Sequence, residues 1–303
     1  MKFLLFSDWH YDPGVFYERS TADLRMLEAR AKETGCDFII HAGDFCTGGD
    51  SVEEYIKIYN GFSLPSYHCL GNHDSDRTTY EKTVARYGMP NGYYFFDAKG
   101  YRFVVLDPNY LWIDGKYIPY SEGNYYAHPE ARDYIPPEQL AWLRETLAAS
   151  PFPCILISHE SIEPGPGNVR NQNEVQQIIA EANQRRAHTV LMCINGHNHC
   201  DHLRILNGVL YFEVNSATFY ALAFSHGRYP QELADRFEFV NSTLVYEEPL
   251  YAIVTVEGTH VKIEGTETRM LHGVTLDAVT DKIYSSRGRT CEPIIRSADI
   301  TLH

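Results

Sequence analysis

No apolar stretch in this chain approaches the about 20 residues that a bilayer span requires, so no membrane helix is expected. Met1 leads straight into a strand-like run. No basic segment is followed by an apolar one, so no signal peptide is expected either. None of the 7 cysteines has a CxxC partner, which removes the usual zinc-ribbon and redox motifs. An odd, scattered set of thiols fits a reducing compartment better than a disulfide framework, and a cytoplasmic protein is expected. Basic residues are scarce. The 26 Lys and Arg face 40 Asp and Glu, a formal net charge of −14. No basic stripe offers a groove for a nucleic-acid polymer, and an acidic surface disfavours anionic membranes. Internal repeats and low-complexity linkers are also lacking.

What is present is an ordinary globular composition, 44% hydrophobic over 303 residues, enough to bury a large core. Five short apolar runs each end on a metal-ligand residue type. The first enters Asp8-Trp9-His10, the second Gly43-Asp44, and the third Gly71-Asn72-His73-Asp74. The fourth enters His159 and the fifth Gly196-His197-Asn198-His199. Runs of this length closed by a turn signal read as buried strands. Ligands of open α/β sheets bind beyond the carboxyl ends of strands. Parallel pairing would therefore deliver Asp8, His10, Asp44, Asn72, His159, His197 and His199 to one edge. That oxygen-and-imidazole set is large enough for two metal ions.

Helical periodicity separates the runs. Ser20-Thr21-Ala22-Asp23 and Ser51-Val52-Glu53-Glu54 have the form of capping boxes. Pro137 opens a third helix and residues 173–184 form a fourth. Strand–helix alternation predicts parallel pairing. Residues 92–107 read as a hairpin. Four strand-like runs between 203 and 263 read as a meander, turning at Asn207-Gly208 and Glu257-Gly258-Thr259. Residues 1–265 are expected to form one domain. Residues 266–303 would be its β-rich C-terminal extension or a small appendage. His41 and His68, inside apolar runs, read as core histidines, and Asp107 as a turn former.

The motifs DxH, GDx, GNHD, a lone His and GHxH, in that order, resemble the calcineurin-like metallophosphoesterases, in the phosphodiesterase and phosphohydrolase branch. The resemblance spans about residues 1–220 and rests on five ordered motifs, each after a strand-like run. It implies a four-layer α/β/β/α sandwich, two packed mixed sheets flanked by helices. It also implies a metal-dependent phosphoesterase. One divalent ion would take Asp8, His10, Asp44 and His199. The other would take Asp44, Asn72, His159 and His197, with Asp44 bridging. Mn, Fe and Zn all suit such ligands. A hydroxide shared by the ions would attack phosphorus in line. His73 would serve the leaving oxygen, with Asp74 accepting its hydrogen bond and fixing its tautomer.

A small phosphorylated substrate then fits the acidic chain, with the metals supplying local positive charge. A small phosphodiester or nucleotide pyrophosphate is expected, and a phosphomonoesterase is the alternative. A DNA nuclease is disfavoured by the charge, and a non-catalytic scaffold by the intact histidines. Oligomeric state has no signal in the sequence. Substrate contacts are expected from two insertions. The tyrosine-rich segment 109–134 offers Tyr110 and Tyr125 to stack a base. The Gly/Pro-rich loop 160–172 offers Arg170 to a phosphate.

Overall fold

The computed structural model describes residues 1–16, 18–47, 49–165, 169–280 and 292–303. In chain order the first eight strands are β1 (Lys2–Phe6), β2 (Phe38–His41), β3 (Ser66–His68), β4 (Tyr94–Ala98), β5 (Tyr101–Val105), β6 (Tyr110–Ile113), β7 (Lys116–Pro119) and β8 (Cys154–Ile157). They are followed by β9 (Val190–Asn195), β10 (His202–Leu206), β11 (Val209–Glu213), β12 (Phe219–Ala221), β13 (Thr243–Val245), β14 (Ala252–Glu257), β15 (His260–Gly265) and β16 (Ala298–Thr301). The helices are α1 (Ser20–Glu33), α2 (Glu53–Asn60), α3 (Tyr80–Arg86), α4 (Pro137–Ala149), α5 (Gln172–Arg185), α6 (Gln231–Arg236) and α7 (Leu276–Val279).

Two six-stranded sheets carry the fold, in the orders β16-β15-β14-β1-β2-β3 and β10-β11-β9-β8-β5-β4. Both are mixed. β1, β2 and β3 run parallel while β14 to β16 are antiparallel. In the second sheet β5, β8, β9 and β11 are parallel and the edges β4 and β10 antiparallel. Side chains alternate between faces along a strand, so each run splits between two cores. Phe3 and Leu5 of β1 pack between the sheets, with Phe103, Ile155, Ile194 and Phe212 of the second sheet. Leu4 and Phe6 point the other way, onto Leu24 and Leu27 of α1 and Ile56 and Tyr59 of α2. Leu156 and Cys193 do the same under α4 and α5. The result is the expected helix–sheet–sheet–helix sandwich. Each such Leu or Phe, fully buried, contributes about 1.5–3 kcal/mol.

Several local expectations change. α1 starts with Arg19 and α2 with Val52 at the N-cap, and neither has a side-chain cap, so the two capping boxes do not form. α3 was not anticipated. It buries only Thr83, too little for an apolar stripe, and relies on Thr79, whose hydroxyl accepts from the Lys82 amide at 3.4 Å. The expected meander is split between the sheets. β10–β11 closes an edge of the second, while β14–β15 extends the first beside β1. The described part of 266–303 returns to the same core: β16 pairs with β15, and Met270, Val274, Ile295 and Leu302 lie between the sheets. No helix among the described residues is long and apolar enough to cross a membrane.

Candidate dinuclear metal centre

The loops after β1 and β2 are laced together by backbone bonds from Asp8, His10 and Tyr11 amides to the Gly43, Asp44 and Phe45 carbonyls, each 2.9 Å. Five candidate ligands adopt left-handed backbone: Asp8 (φ 52°), His10 (50°), Asp44 (56°), His197 (73°) and His199 (50°). Such positions are costly for non-glycine residues and concentrate at functional sites. Two glycines make the crowding possible. A Cβ on Gly71 would strike the Asp44 amide and carboxylate, and one on Gly196 would strike Ser7 and the Asp8 carboxylate.

The seven residues converge in two adjoining groups. In one, Asp8 Oδ1 lies 3.5 Å from His10 Nε2 and 3.3 Å from His199 Nε2, and the two imidazole nitrogens are 2.8 Å apart. In the other, Asp44 Oδ2 is 3.0 Å from His159 Nε2, and His197 Nδ1 is 3.0 Å from Asn72 Oδ1. Asp44 joins the groups through one oxygen, because Oδ2 also lies 3.8 Å from His10 Nε2 while Oδ1 accepts the His73 amide at 2.8 Å.

Four features fit cations here. Asp8 Oδ1 and His159 Nε2 are buried without a hydrogen-bond partner, 3.7 Å apart. His159 Nδ1 donates to the Ala42 carbonyl (2.9 Å) and His199 Nδ1 to the Phe219 carbonyl (2.8 Å), so each offers an Nε2 lone pair inward. The Asn72 amide nitrogen donates to the Tyr125 hydroxyl (3.2 Å), which turns its oxygen toward His197. Three three-residue sets, Asp8–His10–His199, Asp44–His159–His197 and His10–Asp44–His73, each bring one potential ligand atom per residue within 4.8 Å of one another.

The electrostatics agree. Burial opposes the charge on Asp44, yet His159, His73 and His10 outweigh it and hold the carboxyl well below its ordinary range. Burial likewise opposes a charged His159, but Asp44 and Asp8 hold its pKa well above the usual value. A field that draws a proton onto a buried imidazole between two carboxylates also favours a divalent cation in the proton's place. Burial, helped by His159, pushes His197 down to about 3 and keeps it neutral, as a ligand must be.

His73 stands at the rim, partly exposed. Its partner is not the expected Asp74. His73 Nδ1 lies 2.7 Å from Asp76 Oδ2. Burial disfavours a charged His73, but Asp44 and then Asp76 outweigh it and push its pKa up to about 9. Asp74 faces away, into the protein. Its Oδ1 accepts the Phe45 amide (2.9 Å), the Cys46 amide (3.1 Å) and the Tyr87 hydroxyl (2.6 Å). Its Oδ2 accepts the amides of Asp44 (3.1 Å) and Gly71 (2.8 Å). Asp74 therefore ties the Asp44 loop to the Asn72 turn. The GNHD pattern places both residues in the site but does not say which way a carboxylate turns within a 3₁₀ turn.

The substrate-side expectations need more revision. Tyr110 is half-buried against Tyr80 and Asp107 and does not line the cleft. Tyr125 is buried with Leu111 and Tyr120 in a small core of the tyrosine-rich segment, which leaves no open ring face for a base. Only its hydroxyl reaches the site. Its neighbour Tyr126 is 59% exposed and lines the cleft. Arg170 is drawn away to the Pro129 carbonyl (3.0 Å) and does not line it. His41 and His68 are core residues packed with Phe45 and Tyr59. Asp107 is buried and accepts from the Asn109 amide, as a turn former does. Arg77, Phe219, Leu222 and Phe239 line the cleft but carried no motif that would have singled them out.

A two-sheet α/β sandwich with paired carboxylate–imidazole clusters at the strand ends defines a class of metal-dependent phosphoric ester hydrolase. This chain belongs to the calcineurin-like phosphoesterase family, whose model matches residues 1–201. A manganese-dependent ADP-ribose/CDP-alcohol diphosphatase of Oryza sativa subsp. japonica is 25% identical over 239 residues, 61% of this chain and 70% of the relative. Among solved structures, the fold is similar to a dimetal phosphatase from Danio rerio, with a TM-score of 0.65 and 14% identity over 100% of this chain and 99% of that one. It is also similar to the inner-membrane-complex anchor protein of Plasmodium, with a TM-score of 0.54 and 14% identity over 100% and 89%. The protein is a metal-dependent phosphoesterase with residues suited to a pair of divalent ions.

Proposed function

We propose that this enzyme hydrolyses the phosphoanhydride or phosphodiester bond of a small nucleotide-like substrate. The observation that carries this reading is the composition of the cleft, about 690 Å³ in volume. Its floor is the ligand cluster. One side carries Arg77, held 3.4 Å from Asp12 Oδ2 and the sole Lys or Arg among the described lining residues. Val15, Phe219, Leu222 and Phe239 add apolar lining, with the Phe219 ring 5.0 Å from that of His10. A polar floor beside a cation and apolar side chains suits a phosphate joined to a nucleoside better than a bare monoester. The diphosphatase named among the relatives acts on substrates of that class.

In this reading Asp8, His10, Asp44 and His199 hold one ion, and Asp44, Asn72, His159 and His197 the other. Manganese is the metal we favour, because the named relative depends on it. A bound pair of divalent ions supplies Lewis acidity and lowers the pKa of water. The chain's own residues do the rest. Asp44 sets the spacing between the two groups, Arg77 meets phosphate charge at the side, and His73 donates to the departing oxygen. Scattered cysteines with no CxxC pair, the six described ones all buried, support a reducing, cytoplasmic setting.

The test is kcat/KM with Mn for ADP-ribose, a CDP-alcohol, bis(p-nitrophenyl) phosphate and p-nitrophenyl phosphate. The nucleotide substrates should lead, and Arg77→Ala should slow them more than the nitrophenyl esters. Preference for the monoester would replace this reading with a phosphomonoesterase.

A further inference from the structure

Asp76 belongs to none of the sequence motifs, yet at the rim of the cleft it meets three side chains. Its Oδ2 lies 2.7 Å from His73 Nδ1 and accepts the Tyr126 hydroxyl at 2.9 Å. Its Oδ1 accepts the Tyr125 hydroxyl at 2.7 Å. The same hydroxyls approach His73 Nδ1 itself, at 3.1 Å for Tyr126 and 3.4 Å for Tyr125. His73 is the sole cationic partner of Asp76 among the described ion pairs, since the neighbouring Arg77 is taken by Asp12. The tyrosines are rigidly backed. Tyr126 stacks on Tyr125 at 4.2 Å and Tyr125 on Tyr120 at 4.4 Å. Tyr120 in turn donates to Asp133 Oδ1 at 2.6 Å.

We propose that Asp76, gripped by the hydroxyls of Tyr125 and Tyr126, is the positioning residue that orients His73 for the leaving group. A carboxylate with two donated O–H bonds keeps one face for a third donor, and that face is presented to His73 Nδ1. The Nδ1–H is thereby held on Asp76, and the second proton of the imidazolium, on Nε2, is the one the ring can donate toward the cleft. The tyrosine segment then acts on the reaction through hydrogen bonding rather than by stacking a base. The proposal rests on the reading of His73 as the leaving-group residue.

Two variants and one control separate the possibilities. The probes are the p-nitrophenyl and methyl esters of thymidine monophosphate, turned over by Mn-loaded enzyme, with metal content measured alongside. Asp76→Asn should cut kcat on the methyl ester by about 10–100-fold, with KM, metal content and nitrophenyl turnover little changed. Tyr126→Phe sits on an exposed side chain and is expected to fold. It should show the same pattern at about fivefold, the factor for one hydrogen bond of about 1 kcal/mol. The control, His73→Ala, should show the pattern at full depth. In zinc-loaded protein, ring-nitrogen NMR at a pH high enough to leave the His73 ring neutral should find the remaining proton on Nδ1 in wild type and in mixed tautomers in Asp76→Asn. If His73→Ala spares the methyl ester, the leaving-group reading fails, and this proposal with it. If His73→Ala is impaired while both variants keep wild-type leaving-group dependence and one tautomer, the proposal alone is overturned.

Discussion

Asp74→Asn separates two roles that a GNHD motif leaves open. If Asp74 served His73, the variant would fold normally and lose turnover. The geometry predicts the reverse order of effects. Oδ1 accepts three N–H and O–H donors, with the Cys46 thiol 3.9 Å away as a weaker fourth, and Oδ2 accepts two, the amides of Asp44 and Gly71. An asparagine that keeps its oxygen on the three-donor side must point its NH₂ at the other two. Each buried amide left facing a donor costs about 1–3 kcal/mol, so the variant should lose about 2–6 kcal/mol of stability. Burial and the Asp44 charge push the Asp74 carboxyl up to about 7. A protonated acid, however, would add a further donor to a shell made entirely of donors, so the carboxylate is the form the loop is built around. The loop it ties carries Asp44, so metal should be lost together with stability. Urea unfolding and elemental analysis of the same preparation make the assay. Wild-type stability and full metal content, with turnover as low as in His73→Ala, would refute the reasoning.

Asp44→Asn should retain the fold but fall from about two bound Mn ions per chain toward none, with activity lost in parallel; a fully loaded, active variant would remove Asp44 from the bridging position. Chelation should lower the unfolding temperature, because a ligand bound only by the folded state contributes about 4 kcal/mol at a thousandfold excess over Kd; identical melting of stripped and loaded protein would contradict the fit of the site to cations. Burial pushes His41 down to about 3. Its folded pKa lies below the unfolded value, so its contribution is complete above about 6.5 and should shrink by about 2 kcal/mol by pH 5; His41→Phe should flatten that limb, and an unchanged acid slope would show that His41 is not buried neutral. Free-thiol titration of denatured, unreduced protein should count the six described cysteines plus Cys291, which lies outside the described residues; a count near one would mean three disulfides and an oxidising compartment.

What could be read in advance follows the periods of the chain. The runs ending at Asp8, Asp44 and His159 are short, apolar and closed by a ligand type, and a period of two explains why Phe3 and Leu4 serve different cores. Seven ligand candidates were legible because strand ends and glycine turns bring them to one place. Gly71 and Gly196 occur where any Cβ would collide with Asp44 or Asp8. The split of β10–β11 from β14–β15 was not legible, because both hairpins carry the same local signal and only long-range pairing with β9 and β1 assigns them to different sheets. α3 was missed for want of an apolar stripe. Asp76 was passed over for a related reason. Its contact with Tyr126 arises from the meeting of two loops about 50 positions apart in sequence, which no spacing rule encodes.

The tyrosine segment shows why residue type alone misled about the substrate side. Seven aromatics between 110 and 134 suggested open ring faces, yet a loop of this length needs a core of its own, and Leu111, Tyr120 and Tyr125 supply it. Burying those rings satisfies the apolar surface and leaves the hydroxyls as the groups with work to do. Tyr125 spends its hydroxyl twice, accepting from Asn72 and donating to Asp76. It thus aims the amide oxygen at the ligand cluster and steadies the carboxylate beside His73. Loss of that single oxygen in Tyr125→Phe should therefore disturb the Asn72 side of the metal centre as well as His73, whereas Tyr126→Phe should disturb His73 alone. A chain that used this segment only to stack a base would show neither effect, and an aromatic surface for the base would have to be sought elsewhere in the cleft lining, at Phe219 and Phe239.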